Sequence, residues 1–300
     1  MHDGWYQVAY ARDITEPLTE IHIGDEPLAL IRDADGALVA ISAWCPHRGA
    51  NLCRGGTVED GAITCPFHAF PVSWRGQGRF RTDPFDVLEI GGLIFVKRPG
   101  GHGAGLARRL AALAEDHQFV PGFEVILSAT PELVVENAFD QSHFRPVHRV
   151  GNAPRFRRRA DAQGAYAVEG VFDLPASQWQ RGAPGARFEV PFVATAFSPT
   201  VVLSTLGGAR PYAMITTTCP LSDRETLARL SLIMPGTPSR EDCLYLLEQA
   251  RAGLMQDARI WEAMRLPEQI DPVDSDSFVL GFRDFCAGFD PAARLSGAAE

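Results

Sequence analysis

Between residues 5 and about 99, apolar positions fall in short runs, 5–9, 28–31 and 38–41, separated by turn chemistry such as Asp33-Ala34-Asp35-Gly36. Runs of that length bounded by Gly and Asp predict strands. Gly55-Gly56, Gly76 and Gly78 interrupt the next stretch, and 93–96 reads as a closing strand. Pro99-Gly100-Gly101-His102-Gly103 has the composition of a linker, which divides the chain into domains at 1–103 and 104–300. Past the linker the pattern changes. Residues 106–115 predict a short helix. Thr130-Pro131-Glu132 marks a helix start, with a cap-type residue before proline at the first position. From about 165 to 235 strand-like runs return, at 188–197, 200–206, 212–219 and 227–234. A long helix then opens at Ser239, with acidic Asp242 in its first turn, and runs to about 264. Residues 291–300 are small and polar and read as a loose tail. The fold class is α+β, an all-β first domain followed by a mixed one.

Composition narrows the partners. With 46% hydrophobic and 22% charged residues the chain has the make-up of a soluble globular protein. A net charge of −9 argues against nucleic acid, whose phosphates need a basic face. Residues 1–10 carry no positive cluster ahead of an apolar stretch, so no secretory signal is expected. No apolar run approaches bilayer length, so no membrane contact is expected. Six cysteines without a secretion signal point to a reducing, cytoplasmic setting and to metal or structural thiols.

Cys45-Pro46-His47, then seventeen residues, then Cys65-Pro66-Phe67-His68 is the sharpest signal. Each arm offers one thiolate and one imidazole. A structural zinc site also uses two cysteines and two histidines, but usually with both cysteines in one arm. Two histidines replacing two cysteines on one iron define a Rieske [2Fe–2S] centre. Cys45-Pro46-His47-Arg48-Gly49-Ala50 and Cys65-Pro66-Phe67-His68-Ala69-Phe70 resemble the oxygenase branch of the Rieske family. The respiratory branch has an extra, disulfide-forming cysteine where Ala50 and Phe67 stand. A departure is Ala69-Phe70, where oxygenases more often show Gly-Trp, a change expected to alter loop packing. Cys53, between the arms, reads as a small buried residue.

The second domain contains Asn137-Ala138-Phe139-Asp140-Gln141-Ser142-His143-Phe144-Arg145-Pro146-Val147-His148. Histidines five apart do not share a helical face, and Pro146 discourages helix at Arg145. His143 is therefore expected to close a helix, and His148 to return from the irregular segment after it. Asp140, one turn earlier, lies within reach of His143 as a partner. Of eight histidines none follows His148; His2, His22, His102 and His117 carry no ligand spacing and read as surface or loop residues. A two-histidine, one-carboxylate iron site then needs an acid. Asp257 is the candidate, on the buried stripe of the late helix with Leu247, Leu254 and Trp261, where a cation would offset the cost of burying a carboxylate. Glu248 and Glu262 turn away from that stripe. A salt bridge to a distant arginine is the bland alternative for Asp257.

Resemblance supports the same assignment. Asn137, Asp140, His143 and His148 match the Rieske oxygenase motif position for position, and Gln256-Asp257-Ala258-Arg259-Ile260-Trp261 resembles the helix supplying its third ligand. The match is nearest to 3-ketosteroid 9α-hydroxylases and related homotrimeric monooxygenases. It departs at Phe144-Arg145-Pro146-Val147, where a more aromatic linker is usual. The resemblance implies a helix-grip catalytic domain, in which a curved antiparallel sheet wraps a long helix. It also implies mononuclear Fe(II) at His143, His148 and Asp257, and an Asp140 that bridges to His68 of a neighbouring subunit. Electrons would come from a separate ferredoxin or flavin reductase, with O₂ and a largely apolar small molecule as substrates. Oxidative N- or O-demethylation would use the same sites. From other classes, an electron carrier with a lipid-binding domain leaves His143, His148 and Asp257 without a role.

Overall fold

A computed structural model of the chain describes residues 1–265 and 270–291. Its first hundred residues form three small sheets. Tyr6–Tyr10, Leu93–Lys97 and Asp86–Ile90 make one, with Leu93–Lys97 central. Leu18–Ile23, Glu26–Arg32 and Leu38–Ser42 make the second. The third joins Thr57–Glu59, Ala62–Thr64, Pro71–Ser73 and Phe80–Arg81. Leu28, Leu30 and Ala40 are fully buried between the first two sheets.

The second half is built on a seven-stranded antiparallel sheet, ordered His117–Leu127, Thr226–Pro235, Tyr212–Pro220, Val201–Leu206, Arg187–Ser198, Tyr166–Pro175 and Arg157–Arg159. Strand alternation divides its faces. Val201, Leu203, Ala213 and Ile215 pack on Leu106 and Leu110 of the Leu106–Ala114 helix. Val202, Leu206, Tyr212 and Met214 face the other way, where the Arg240–Trp261 helix lies. That is the expected grip of a sheet on a long helix. Ser239 caps the helix by accepting from the Asp242 N–H at 3.1 Å, and Leu246, Asp257, Ala258 and Trp261 are its buried residues. The helix ends at Trp261, a little before the expected 264.

The two halves share one core. Trp5, Tyr10, Leu93 and Phe95 pack with Phe197, Ile233 and Phe289. Arg229, 6% exposed, donates to the carbonyls of Gln7 (2.8 Å) and Val8 (2.9 Å) where a bulge in the first strand frees them. The Tyr10 hydroxyl donates to the carbonyls of Phe123 and Leu230.

The short strands between residues 57 and 90 and at 157–159 were not legible, nor were three longer elements. Leu18–Ile23 and His117–Leu127 mix exposed and half-buried positions without a clean period. Ser277–Ala287 is a helix that fills the gap beside Phe139 and Tyr166. His2 is a half-buried residue of the segment before the first strand: it stacks on Tyr6 at 4.1 Å and bonds Thr200 Oγ1 at 3.1 Å, and burial drops its pKa to about 3. Of the expected tail, 292–300 lies outside the described residues. Among those described, no helix is long and apolar enough to cross a membrane.

Candidate metal centres

Two loops of one plan carry the first ligand set. In the first, Gly49 N–H donates to Cys45 C=O (2.8 Å) and Cys45 N–H to Ala50 C=O (2.8 Å). In the second, Ala69 donates to Cys65 (2.9 Å) and Cys65 to Phe70 (2.9 Å). The fifth residue of each loop is left-handed, Gly49 at φ 72° and Ala69 at φ 55°. Only glycine adopts that region freely, so Ala69 holds a conformation that a glycine would hold without strain. The cysteines are buried among Leu52, Ile63 and Trp74. His47 and His68 lie ring to ring at 4.8 Å, flanked by exposed Trp44, Phe67 and Phe70. His47 Nδ1 is buried without a hydrogen-bond partner, a costly state that metal coordination removes. Two buried thiols and two half-buried imidazoles, one with an orphaned nitrogen, fit a [2Fe–2S] cluster. Cys53 is half-buried, and burial pushes its thiol up to about 11, as for an inert cysteine.

The second set is built by a helix that breaks and restarts. Thr130 Oγ1 caps Pro131–Glu136, and a 3₁₀ turn, Asn137–Phe139, continues it. Asp140 then leaves the helical region, and Phe144–His148 forms a new short helix with His143 at its N-cap. This corrects the expected layout: His143 precedes a helix and His148 ends it. Pro146 is tolerated because it sits in the first turn, whose N–H groups have no intrahelical partner.

His143 Nδ1 donates to the Asp140 carbonyl at 2.6 Å, and His148 Nδ1 to Gln256 Oε1 at 2.9 Å. Each neutral ring then presents an Nε2 lone pair, and these two atoms are 3.2 Å apart. Asp257 Oδ1 lies 3.3 Å from His148 Nε2, and the three ligand atoms lie within 4.8 Å of one another. Asp257 is 7% exposed, and its ion-pair partner among the described residues is His148 alone. Two lone pairs and a carboxylate turned toward one point make a cation site. Burial holds His143 below the ordinary imidazole value. At His148 burial is outweighed by the oxygens of Asp257 and Gln256 beside the ring, which favour its protonated form and raise its pKa. Asn137 Nδ2 lies 3.1 Å from His143 Nε2.

Asp140 acts on His143 through its backbone rather than its carboxylate. The carboxylate, 4.0 Å from the ring, accepts from Ser142 N–H at 2.8 Å and is about a third exposed. Gln256 was legible only as part of the late helix, its partnership with His148 being set by a contact 108 residues apart.

An apolar cavity of about 440 Å³ opens onto this set, walled by Phe144, Phe172, Phe192, Leu206, Met214 and Leu246. A smaller one of about 160 Å³ reaches His143 and Asp257 from the side of Glu136, Asp140, Ile260 and Met264. A broader surface hollow of about 830 Å³ over Asn152, Arg155 and Glu169 includes none of the ligands.

With two metal-ligand sets on this fold, the family becomes explicit. Residues 4–88 match the Rieske [2Fe-2S] domain and 108–288 the 3-Ketosteroid 9alpha-hydroxylase C-terminal domain. The chain belongs to the Rieske oxygenase components that carry this C-terminal domain. It is 32% identical over 107 residues to the oxygenase component of 3-ketosteroid-9-alpha-monooxygenase of Rhodococcus rhodochrous, covering 31% of this chain and 28% of that protein. It is 28% identical over 166 residues to the oxygenase component of Dicamba O-demethylase of Stenotrophomonas maltophilia, covering 50% and 48%. The chain thus spans less than half the length of these two relatives. The solved complex between oxygenase and ferredoxin in carbazole 1,9a-dioxygenase shares the fold, with TM-score 0.69 and 18% identity over 99% of this chain and 92% of that one.

Proposed function

We propose that the protein is the oxygenase component of a monooxygenase that uses O₂ and two externally supplied electrons to hydroxylate a largely apolar small molecule. Cys45, Cys65, His47 and His68 hold the [2Fe–2S] cluster, and His143, His148 and Asp257 hold mononuclear iron. The observation that carries this reading is the pair of Nε2 lone pairs and the buried carboxylate turned to one point on the wall of an apolar cavity. Bound there, iron would supply dioxygen activation, because three protein ligands leave positions open.

The chain's own residues do the rest. The Asp140 carbonyl and Gln256 fix the tautomers of the two histidines. The aromatic wall excludes water and orients substrate. Asn137, beside His143 Nε2, and Asp140, on the side of the smaller cavity, serve the path of the electron.

Electrons come from a separate ferredoxin or flavin reductase. The relative with carbazole activity is solved with a ferredoxin, and this chain shows no nucleotide-binding motif. A homotrimer in the cytoplasm is the proposed state. Apolar Trp44, Phe67 and Phe70 ring the cluster histidines, and apolar Ile260 and Met264 line the smaller cavity at the iron, so two copies can bury these patches against each other. Demethylation remains the second reading, favoured by the likeness to the dicamba enzyme. It differs only in which substrate bond faces the iron.

The test is iron and acid-labile sulfide per chain in anaerobically purified protein. About three irons to two sulfides are expected. About two of each, not raised by added ferrous iron, would leave the cluster alone and reduce the chain to an electron carrier.

A further inference from the structure

The outer face of the seven-stranded sheet carries a cationic hollow. Strand pairing sets Arg159, Ala167 and Thr195 side by side across three strands. Val193 and Thr205, themselves a cross-strand pair, adjoin them on the same face. Arg108 and Arg109, on the Leu106–Ala114 helix, reach the same hollow. Its lining includes Ala112, Ala160 and Ala167, whose short side chains leave about 340 Å³ open between helix and edge strand. None of the metal ligands lines it.

Nothing in the chain neutralises the three guanidinium groups. Among the described residues, Arg108, Arg109 and Arg159 have no ion pair and no side-chain hydrogen bond. Asp161 is the only acid in the lining, and its Oδ1 accepts from the N–H groups of Gln163 (2.8 Å) and Ala165 (3.2 Å). The local sequence supplies no other: residues 141–160 hold six arginines and no acid, in a chain of net charge −9. The two arginines before Arg159 are engaged. Arg157 pairs with Glu169 at 3.0 Å, and Arg158 lies over the Tyr166 ring and donates to the Ala167 carbonyl.

Three like charges around one concavity raise its potential and draw in anions. The planar fork of a guanidinium matches carboxylate or phosphate oxygens two at a time. Any one such contact at an exposed site is weak. A ligand with several oxyanion groups makes them together, and the Thr195 and Thr205 hydroxyls can donate to the same oxygens. The small, concave space suits a compact molecule rather than a nucleic acid or a protein face.

We propose that Arg108, Arg109 and Arg159 bind a small organic polyanion, a bisphosphate or a tricarboxylate, on the reverse of the apolar cavity's wall. The same two strands turn Phe192, Ser204 and Leu206 to the cavity and Val193, Thr195 and Thr205 to the hollow. The hollow is thus a second ligand site, separate from both metal-ligand sets, and its occupant joins the helix after the linker to the edge of the sheet.

The experiment is calorimetric titration of the holoprotein at a fixed ionic strength of about 0.15 M, with 2,3-bisphosphoglycerate, tricarballylate and sulfate. One site per chain is expected, with at least one organic polyanion binding about tenfold or more tightly than sulfate. Which of the two binds tells a phosphate source from a carboxylate one. Arg108→Gln, Arg109→Gln and Arg159→Gln should each weaken that binding by about fivefold or more. Arg155→Gln removes the same charge from the same segment but outside the hollow, and should change it by less than about twofold. Thermal unfolding of each variant checks that it is folded. Both polyanions binding no more tightly than sulfate would overturn the site. So would Arg155→Gln weakening binding as much as Arg159→Gln, which would leave diffuse charge attraction in its place.

Discussion

The two metal-ligand sets are built on opposite principles. The cluster loops are defined by backbone: two five-residue turns, each closed by paired hydrogen bonds and a left-handed residue. The mononuclear set is defined by side chains from two helices more than a hundred residues apart, oriented by a carbonyl and an amide inside an apolar shell. A site of the first kind is local, so its spacing is written in the sequence. A site of the second kind depends on the whole sheet-and-helix frame. It can also be adjusted one contact at a time.

Breaking either ligand set alone should show this most strongly. Asp257→Ala or His143→Ala should lower iron from about three to about two per chain, with sulfide and the visible cluster spectrum unchanged and turnover lost. Unchanged iron would refute the ligand assignment. Next in size is Asp140→Asn. Its ligand-orienting carbonyl survives, so both metals should stay, while transfer between them slows by about a hundredfold in single-turnover kinetics. A fully active variant would remove Asp140 from the electron path.

A smaller effect separates the outer contacts of the mononuclear site. Gln256→Ala frees His148 Nδ1 and should weaken cobalt(II) binding to iron-depleted protein by about tenfold or more, with Gln256→Glu restoring it. His143, held by a carbonyl, has no equivalent side chain to remove. The smallest effect sharpens the other half. Ala69→Gly relieves a left-handed alanine and should raise stability by about 0.5–1 kcal/mol. Gly49→Ala, where a methyl would meet open space, should cost about as much through backbone strain alone. Thermal unfolding of the two variants should shift in opposite directions by a few degrees.

The sequence showed the cluster arms, the metal motif and Asp257 because each has a local signature: cysteine next to proline, histidine spacing, an acid on an apolar stripe. It also showed the long helix and the four central strands, where periodicity is clean. The break lies before His143 rather than between His143 and His148, because Pro146 occupies the first turn of the short helix, which needs no N–H. The sequence did not show His117–Leu127, which is a strand only because Thr226–Pro235 pairs with it along its whole length. The role of Gln256 is a long-range fact, set by the approach of the late helix to the His148 ring.

The guanidinium of Arg229, seated on two carbonyls of the first strand, bears on how the chain could be taken apart. The family matches stop at residue 88 and resume at 108, so the halves are separable as inherited modules. They are not separable as folding units. Cutting between them would take from Arg229 its two carbonyl acceptors, leaving it Glu124, and uncover Trp5, Tyr10, Leu93 and Phe95. The whole chain should therefore melt in one cooperative step, with cluster bleaching and loss of the second half's tertiary signal at the same temperature.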